Sequence, residues 1–250
     1  MPSRETFTRL MLDAISEYSA PIFKLHSKEL GEAIQNDLFD LDGPREVNRE
    51  HSPSDYFMAE IFRGFSEIDE SFRTLEDIAF YVRRFPFART KVTKERYLQF
   101  HIECYYTEVY LMRERLKSYL KLLRRRFKRG APLPTLQETC ARLESVTTEA
   151  LKGVTNMRSQ HVHQSRITDK AIARMRMASL LMLSPDPKMR DVMADYHREL
   201  HRDAKRTWSR TMKSNNAAIR KLLDHFFGAL EPMLFDSETG KVRRPKHIEA

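Results

Sequence analysis

In the run Met157-Arg158-Ser159-Gln160-His161-Val162-His163, an arginine stands five residues ahead of a histidine and a hydroxyl side chain follows the arginine directly. A guanidinium carries fixed positive charge and a planar fork of donors that matches phosphate. An imidazole, with an unperturbed pKa of about 6.5, takes or gives a proton near neutral pH. These two groups suffice for an attack on a phosphodiester that needs no metal, which makes Arg158 and His163 the candidate catalytic pair.

Spacing alone does not select them. Five pairs in the chain share an Arg-x(4 to 6)-His pattern: Arg45/His51, Arg96/His101, Arg158/His163, Arg190/His197 and Arg220/His225. Arg96/His101 and Arg220/His225 lie inside periodic helical stretches, where five residues turn through about 140° and point the side chains apart. Arg45/His51 sits in a polar linker with no second element to fix it. Arg190/His197 shares a helix face but is spread along the axis over almost two turns. Only Arg158/His163 falls between two helical patterns, where a bend can bring both groups to one point.

The elements around the pair read as helices throughout. The chain has 250 residues, 41% hydrophobic and 32% charged, enough to build a sizeable core as one or two domains. Only 7 Gly and 11 Pro occur, which disfavours turn-rich β architectures. Apolar residues recur at helical intervals from Glu5 to about Phe39, with a break at Pro21. Leu41-Asp42-Gly43-Pro44 is a turn and Arg45 to Pro53 a polar connector. Ser54 or Asp55 is positioned to cap a helix through about Phe72, and a short helix near Leu75 to Arg84 follows, ended by Phe85-Pro86.

From Thr93 to Lys128 the pattern is clearest. Leu98, Ile102, Tyr105, Val109, Met112, Leu116, Tyr119 and Leu123 alternate steps of four and three, the seam of a long helix packed along a neighbour. Thr135 is placed to cap the next helix, with Leu136, Cys140, Leu143, Val146, Ala150 and Val154 on one side. Thr168 or Asp169 is the expected N-cap of a helix through about Leu183. A long polar helix is expected from Lys188 to Leu230, followed by a frayed basic tail. The expected divisions are an N-terminal helical extension (1–50), a helical bundle (54–183), a long C-terminal helix packed on it (188–230) and the tail (231–250).

A net charge of +9 favours polyanionic partners or acidic membrane surfaces. No apolar run approaches the roughly 20 residues of a membrane span, and the acidic, amphipathic N-terminus is unlike a secretory signal. A cytoplasmic setting is therefore expected, with Cys104 and Cys140 as reduced core thiols.

Arg158-Ser159-Gln160-His161-Val162-His163, following a long helical hairpin, resembles the Arg-polar-x-x-x-His signature of the HEPN superfamily (higher eukaryotes and prokaryotes nucleotide-binding domain). The likeness covers Ser54 to Leu183. It implies an all-α fold, a HEPN-like four- to five-helix bundle with additional N- and C-terminal helices here, usually a homodimer in which the two signature segments meet. Many members of that family are metal-independent endoribonucleases of toxin–antitoxin and phage-defence systems. By the resemblance Arg158 holds the scissile phosphate and His163 serves as general acid or base for attack by the neighbouring 2′-hydroxyl. Ser159 and His161 are placed to hold phosphate oxygens or orient His163, and Arg166 to bind the adjoining phosphate. RNA is the implied partner, an antitoxin or nucleotidyltransferase a further one; no cofactor, metal or membrane is called for. The family often has Asn, Asp or His where this chain has Ser159. A non-catalytic, basic nucleic-acid- or nucleotide-binding or regulatory module of the same architecture is the alternative.

Two further constellations have plainer explanations. Arg124, Arg125 and Arg126 are candidate RNA-phosphate contacts, but cations at a helix C-terminus also complement the helix dipole. His197 and His201, four apart, can grip a metal from one helical face, yet no third ligand is evident and a solvated face is the expected reading.

Overall fold

A computed structural model of the chain describes residues 4–20, 53–84, 91–127, 133–153 and 169–245. Among these the fold is all-α. Helix α1 spans residues 4–20. It is followed by α2 (Pro53–Arg83), α3 (Lys94–Arg126), α4 (Leu133–Ala150), α5 (Lys170–Leu181) and α6 (Pro187–Leu234). The only β pairing among the described residues is an isolated bridge between Phe235 and Val242. No helix among them is long and apolar enough to cross a membrane.

The chain forms two compact units, both discontinuous in sequence. One gathers described residues within Met1–Ser66, Tyr119–Leu143 and Leu223–Ala250; the other gathers those within Glu67–Ser118 and Glu144–Leu222. The stretch 54–183 thus contributes to both.

The α3 seam is buried as its spacing requires: Leu98, Ile102, Tyr105, Val109, Met112, Leu116, Tyr119 and Leu123 are each at most 1% exposed. The structure corrects four local expectations. Pro53–Arg83 is one helix rather than two. Phe65, Ile68, Phe72, Leu75, Ile78 and Val82, all buried, carry the three-four spacing across Arg73-Thr74, where neither Pro nor Gly interrupts it. Helix α4 starts at Leu133, ahead of Thr135, because Pro134 is tolerated in a first turn whose N–H groups have no intrahelical partner. Its buried face follows Leu136, Cys140, Leu143, Thr147 and Leu151, while Val146 is 37% exposed; a step of four after Leu143 keeps pace with 3.6 residues per turn.

The fourth correction concerns the chain end. Helix α6 continues to Leu234, and residues 235–245 fold back instead of fraying. The Asp236 carboxylate accepts from the backbone amides of Glu238 (3.1 Å) and Thr239 (3.0 Å). Gly240 takes φ +67°, a conformation that L side chains rarely adopt. The Arg243 amide then donates to the Leu234 carbonyl at 2.7 Å. Residues 246–250 lie outside the described residues, as do Phe39, the turn 41–44 and Arg45/His51.

The first unit is aromatic at its centre. Phe7 of α1 lies 5.7 Å from Phe65, 4.7 Å from Phe227 and 5.3 Å from Phe235 between ring centroids. Such pairs add roughly 0.5–1.5 kcal/mol each beyond their buried area. In the second unit a buried polar node joins three helices. The Tyr105 hydroxyl donates to Asn216 Oδ1 at 2.7 Å, and Asn216 Nδ2 donates to the Leu75 carbonyl at 3.1 Å. Burial pushes the Tyr105 hydroxyl well above its ordinary pKa, so it remains a donor.

Gly64 provides a check on the packing of the first unit. A Cβ added there would meet the Tyr119 ring at 2.6 Å, and Tyr119 is itself 1% exposed and has no room to retreat. Gly64→Ala should therefore lower stability by about 1–3 kcal/mol despite the better helix propensity of alanine. Urea unfolding will read this as a lower midpoint at unchanged slope; an unchanged or raised midpoint would contradict the packing.

Candidate functional site

Arg158, Ser159, His161, His163 and Arg166 all lie in the connection between α4 and α5, residues 154–168, outside the described residues. The two ends of that connection are defined, and both belong to the second unit. At its start Leu151 is 4% exposed, and its amide donates to the carbonyl of fully buried Thr147 at 3.2 Å.

At its end stands Asp169. Its backbone is extended (φ −70°, ψ 128°), and its Oδ1 accepts from the amides of Ala171 (2.8 Å) and Ile172 (3.0 Å). Of the two N-cap candidates in the sequence, Thr168 and Asp169, it is Asp169 that caps the helix, satisfying donors that the first turn of α5 leaves free. The other carboxylate oxygen is also used: Trp208 Nε1 of α6 donates to Oδ2 at 3.1 Å. Trp208 in turn stands edge-on to Tyr106 of α3, 6.1 Å between centroids at 89°. Burial, and then the Asp169 carboxylate, push the Tyr106 hydroxyl up from its ordinary pKa. One carboxylate thus starts α5 and ties it to α6 where the candidate connection ends.

The sequence reading missed Trp208 and its partner across 39 residues of chain. The available signal was composition: it is the single tryptophan, set in a polar helix, and a buried indole N–H usually finds an acceptor.

A second polar cluster overturns the expectation of a solvated histidine face on α6. His197 Nε2 lies 3.3 Å from Glu95 Oε2 of α3, and the two side chains are only 12% and 7% exposed. Ser179 of α5 donates to the other Glu95 oxygen at 3.2 Å. Burial raises the Glu95 pKa, but its own backbone amide, the Thr93 hydroxyl and His197 outweigh that and hold it below the ordinary value. Half-buried His201 is pushed down to about 4, first by burial and then by the charges of Lys94 and Lys205. Both histidines are therefore turned to packing. Among the described residues no group of three or more His, Cys, Asp or Glu is arranged to hold a metal ion.

The basic run at the end of α3 lies in the first unit and is largely engaged by protein groups. Arg126 Nε donates to Glu60 Oε2 at 2.7 Å, and Arg124 reaches the Cys140 carbonyl at 3.4 Å. Arg125 is 3.8 Å from Glu60 and 63% exposed, so it is the most open of the three to a phosphate. Neither cysteine is in a disulfide; Cys140 is buried, and burial followed by Glu103 raises the thiol pKa of Cys104.

Comparison with known proteins adds no relative: no family model, no curated protein and no solved structure matches the chain significantly.

Two outcomes follow from these clusters. Asp169→Ala removes the cap and strands the Trp208 N–H, which should cost about 1–3 kcal/mol. Asp169→Asn retains a capping oxygen and should lose less; equal losses in urea unfolding would count against the cap. For His201 the proton binds more weakly in the folded chain than in the unfolded one, with pKa values of about 4 against an ordinary 6.5. Its contribution is complete above the unfolded value and declines as pH falls through that window. Glu95 acts lower, its contribution present above 4.5 and lost as pH falls through its depressed folded value. His201→Gln should flatten the fall in melting temperature between those two histidine values; an unaltered slope would exclude His201 as its source.

Proposed function

We propose that this chain is a metal-independent endoribonuclease of HEPN type, cutting RNA at a composite site in a homodimer. The observation that carries the reading is the position of Arg158 and His163 in the connection between α4 and α5, anchored at its far end by the doubly used Asp169 carboxylate.

In this reaction the 2′-oxygen attacks the adjacent phosphorus and the bond from phosphorus to the 5′-oxygen breaks. A base takes the 2′-hydroxyl proton and an acid protonates the leaving 5′-oxygen, giving a 2′,3′-cyclic phosphate and a 5′-hydroxyl. His163 fills one of these roles and His163 of the second copy the other. Arg158 stabilises the charge gathering on the phosphoryl oxygens. A preorganised donor of this kind is worth about 2.7–4 kcal/mol, and a positioned acid or base about 10²–10⁴ in rate. Ser159 and His161 supply further hydrogen bonds and Arg166 holds the next phosphate. Such an activity suits a toxin or phage-defence enzyme controlled by an antitoxin or a nucleotidyltransferase partner.

The homodimer is supported by an apolar surface of the second unit. Met177, Leu180 and Leu181 on α5, Leu183 beyond it, and Met189, Val192 and Tyr196 on α6 are all between 41% and 80% exposed. Their spacing makes a stripe on both arms of a helical hairpin, and monomeric proteins rarely leave such stripes open.

The second reading, a nucleic-acid-binding or regulatory module without cleavage, is favoured by one residue. Ser159 stands where the family pattern often has Asn, Asp or His, which thins an already sparse site.

Cleavage of labelled RNA separates the two. His163→Ala should abolish cutting with RNA binding and helicity retained, Arg158→Ala should weaken both, and EDTA should leave the rate unchanged. Activity lost in EDTA and restored by a divalent metal would overturn the mechanism. Leu180→Asp with Val192→Asp should give a monomer by light scattering that no longer cuts; a dimer persisting in that variant would place the interface elsewhere.

A further inference from the structure

Where the end of α2 approaches the start of α3, the second unit leaves aromatic rings open to solvent. Phe80 is 45%, Tyr81 47% and Phe100 61% exposed. They belong to a connected set of rings. Phe80 contacts Tyr81 at 6.0 Å between centroids, Tyr81 contacts His101 at 5.7 Å, and Phe100 contacts His101 at 5.4 Å. Tyr97 stiffens the set, its ring 4.3 Å from His101 and its hydroxyl donating to the Tyr81 carbonyl at 3.1 Å. The guanidinium carbons of Arg83 and Arg84 lie 5.8 and 5.3 Å from the Phe80 centroid.

We propose that this surface is a binding platform for single-stranded nucleic acid, with bases stacked on Phe80, Tyr81 and Phe100 and phosphates held by Arg83 and Arg84. The chemistry favours that ligand over others. Every base has a π-face, and stacking on an aromatic side chain is worth about 1–3 kcal/mol per base without regard to sequence. A guanidinium can lie on a ring and still present its donor fork to phosphate. A duplex hides its base faces within the stack, so only single strands can use the rings. An acidic polypeptide would satisfy the arginines but supplies no planar partner for the open rings. Burial lowers the His101 pKa, so its imidazole tends to meet the neighbouring rings as a neutral plane. The chain's net charge of +9 adds general attraction for a polyanion.

The platform goes beyond the ribonuclease reading and does not need it, since it concerns binding by residues outside the 154–168 connection. The test uses the full-length chain carrying His163→Ala, so that no cleavage intervenes, and fluorescence anisotropy with a short labelled oligouridylate. Oligothymidylate of equal length distinguishes an RNA source from a DNA one, a duplex of that length serves as the control, and polyglutamate tests for an acidic polypeptide. Phe100→Ala and Tyr81→Ala should each weaken binding to the single strand on the order of tenfold. Phe100→Trp should keep it, and Phe100→Leu, apolar but without a π-face, should not. Arg84→Ala should weaken binding and reduce the dependence on salt by about one phosphate contact. Phe100 is exposed, so these changes should leave helicity intact, and circular dichroism checks that.

No affinity for either single strand overturns the proposal, as does an affinity untouched by the aromatic variants. A duplex bound as tightly does the same. Polyglutamate bound with the same dependence on Phe100 and Tyr81 would assign the surface to an acidic polypeptide instead. Because the readout is binding alone, a chain that never cuts RNA yet holds it through these rings fails the ribonuclease reading and passes this one.

Discussion

The burial of α3 is the constraint from which the rest of the second unit follows. Its seam residues are sealed from water, so any polar group carried inward on the same helix must find a partner or forfeit its hydration. Each does. Tyr105 reaches Asn216, which continues to the Leu75 carbonyl. Glu95 takes Ser179 and His197. Arg115 bonds to Glu108 at 2.7 Å and also to Ser71. Apolar packing brings these groups close, and the cost of leaving any one unpaired fixes a single alignment of the helices. Removing one partner is therefore more damaging than the net worth of one hydrogen bond suggests.

How much of this could be read in advance depended on the range of the interaction. The α3 seam was legible because burial of one helix face imprints a local period of three and four on the sequence. The Asp169 cap was legible for the same reason: a short polar side chain before an apolar run acts within three residues of itself. The split expected in α2 failed at Arg73-Thr74, where two polar residues look like a break but merely occupy the outward side of a continuing helix. At Val146 the expectation failed because hydrophobicity was taken to outrank geometry; the helix buries Thr147 in its place.

Long-range pairing left no such imprint. His197 and Glu95 are separated by 102 residues, and Trp208 and Asp169 by 39. Nothing local to His197 distinguishes a solvated histidine from one held against a buried carboxylate. At Arg124 to Arg126 the charge is visible in sequence, while the opposing Glu60 is not identifiable there as a partner. The open rings of Phe80, Tyr81 and Phe100 were equally hidden, since exposure of an aromatic residue is decided by what packs over it.

The Asp169 carboxylate also bears on which groups can receive a phosphate in the proposed reaction. A helix N-terminus is a natural anion site, with free amides and the positive end of the dipole. At α5 that end is already filled, because the amides of Ala171 and Ile172 point at Asp169 Oδ1. A phosphate brought to the same place would meet a carboxylate, and like charges at close range repel. The carboxylate therefore already occupies this helix end. On the ribonuclease reading, positive charge has to come from side chains of the connection, Arg158 for the scissile phosphate and Arg166 for the next. Fixing the far end of that connection matters for such a site, since a displacement of about 1 Å can cost on the order of 10²-fold in rate. On that reading the negative cap limits where the chemistry can occur.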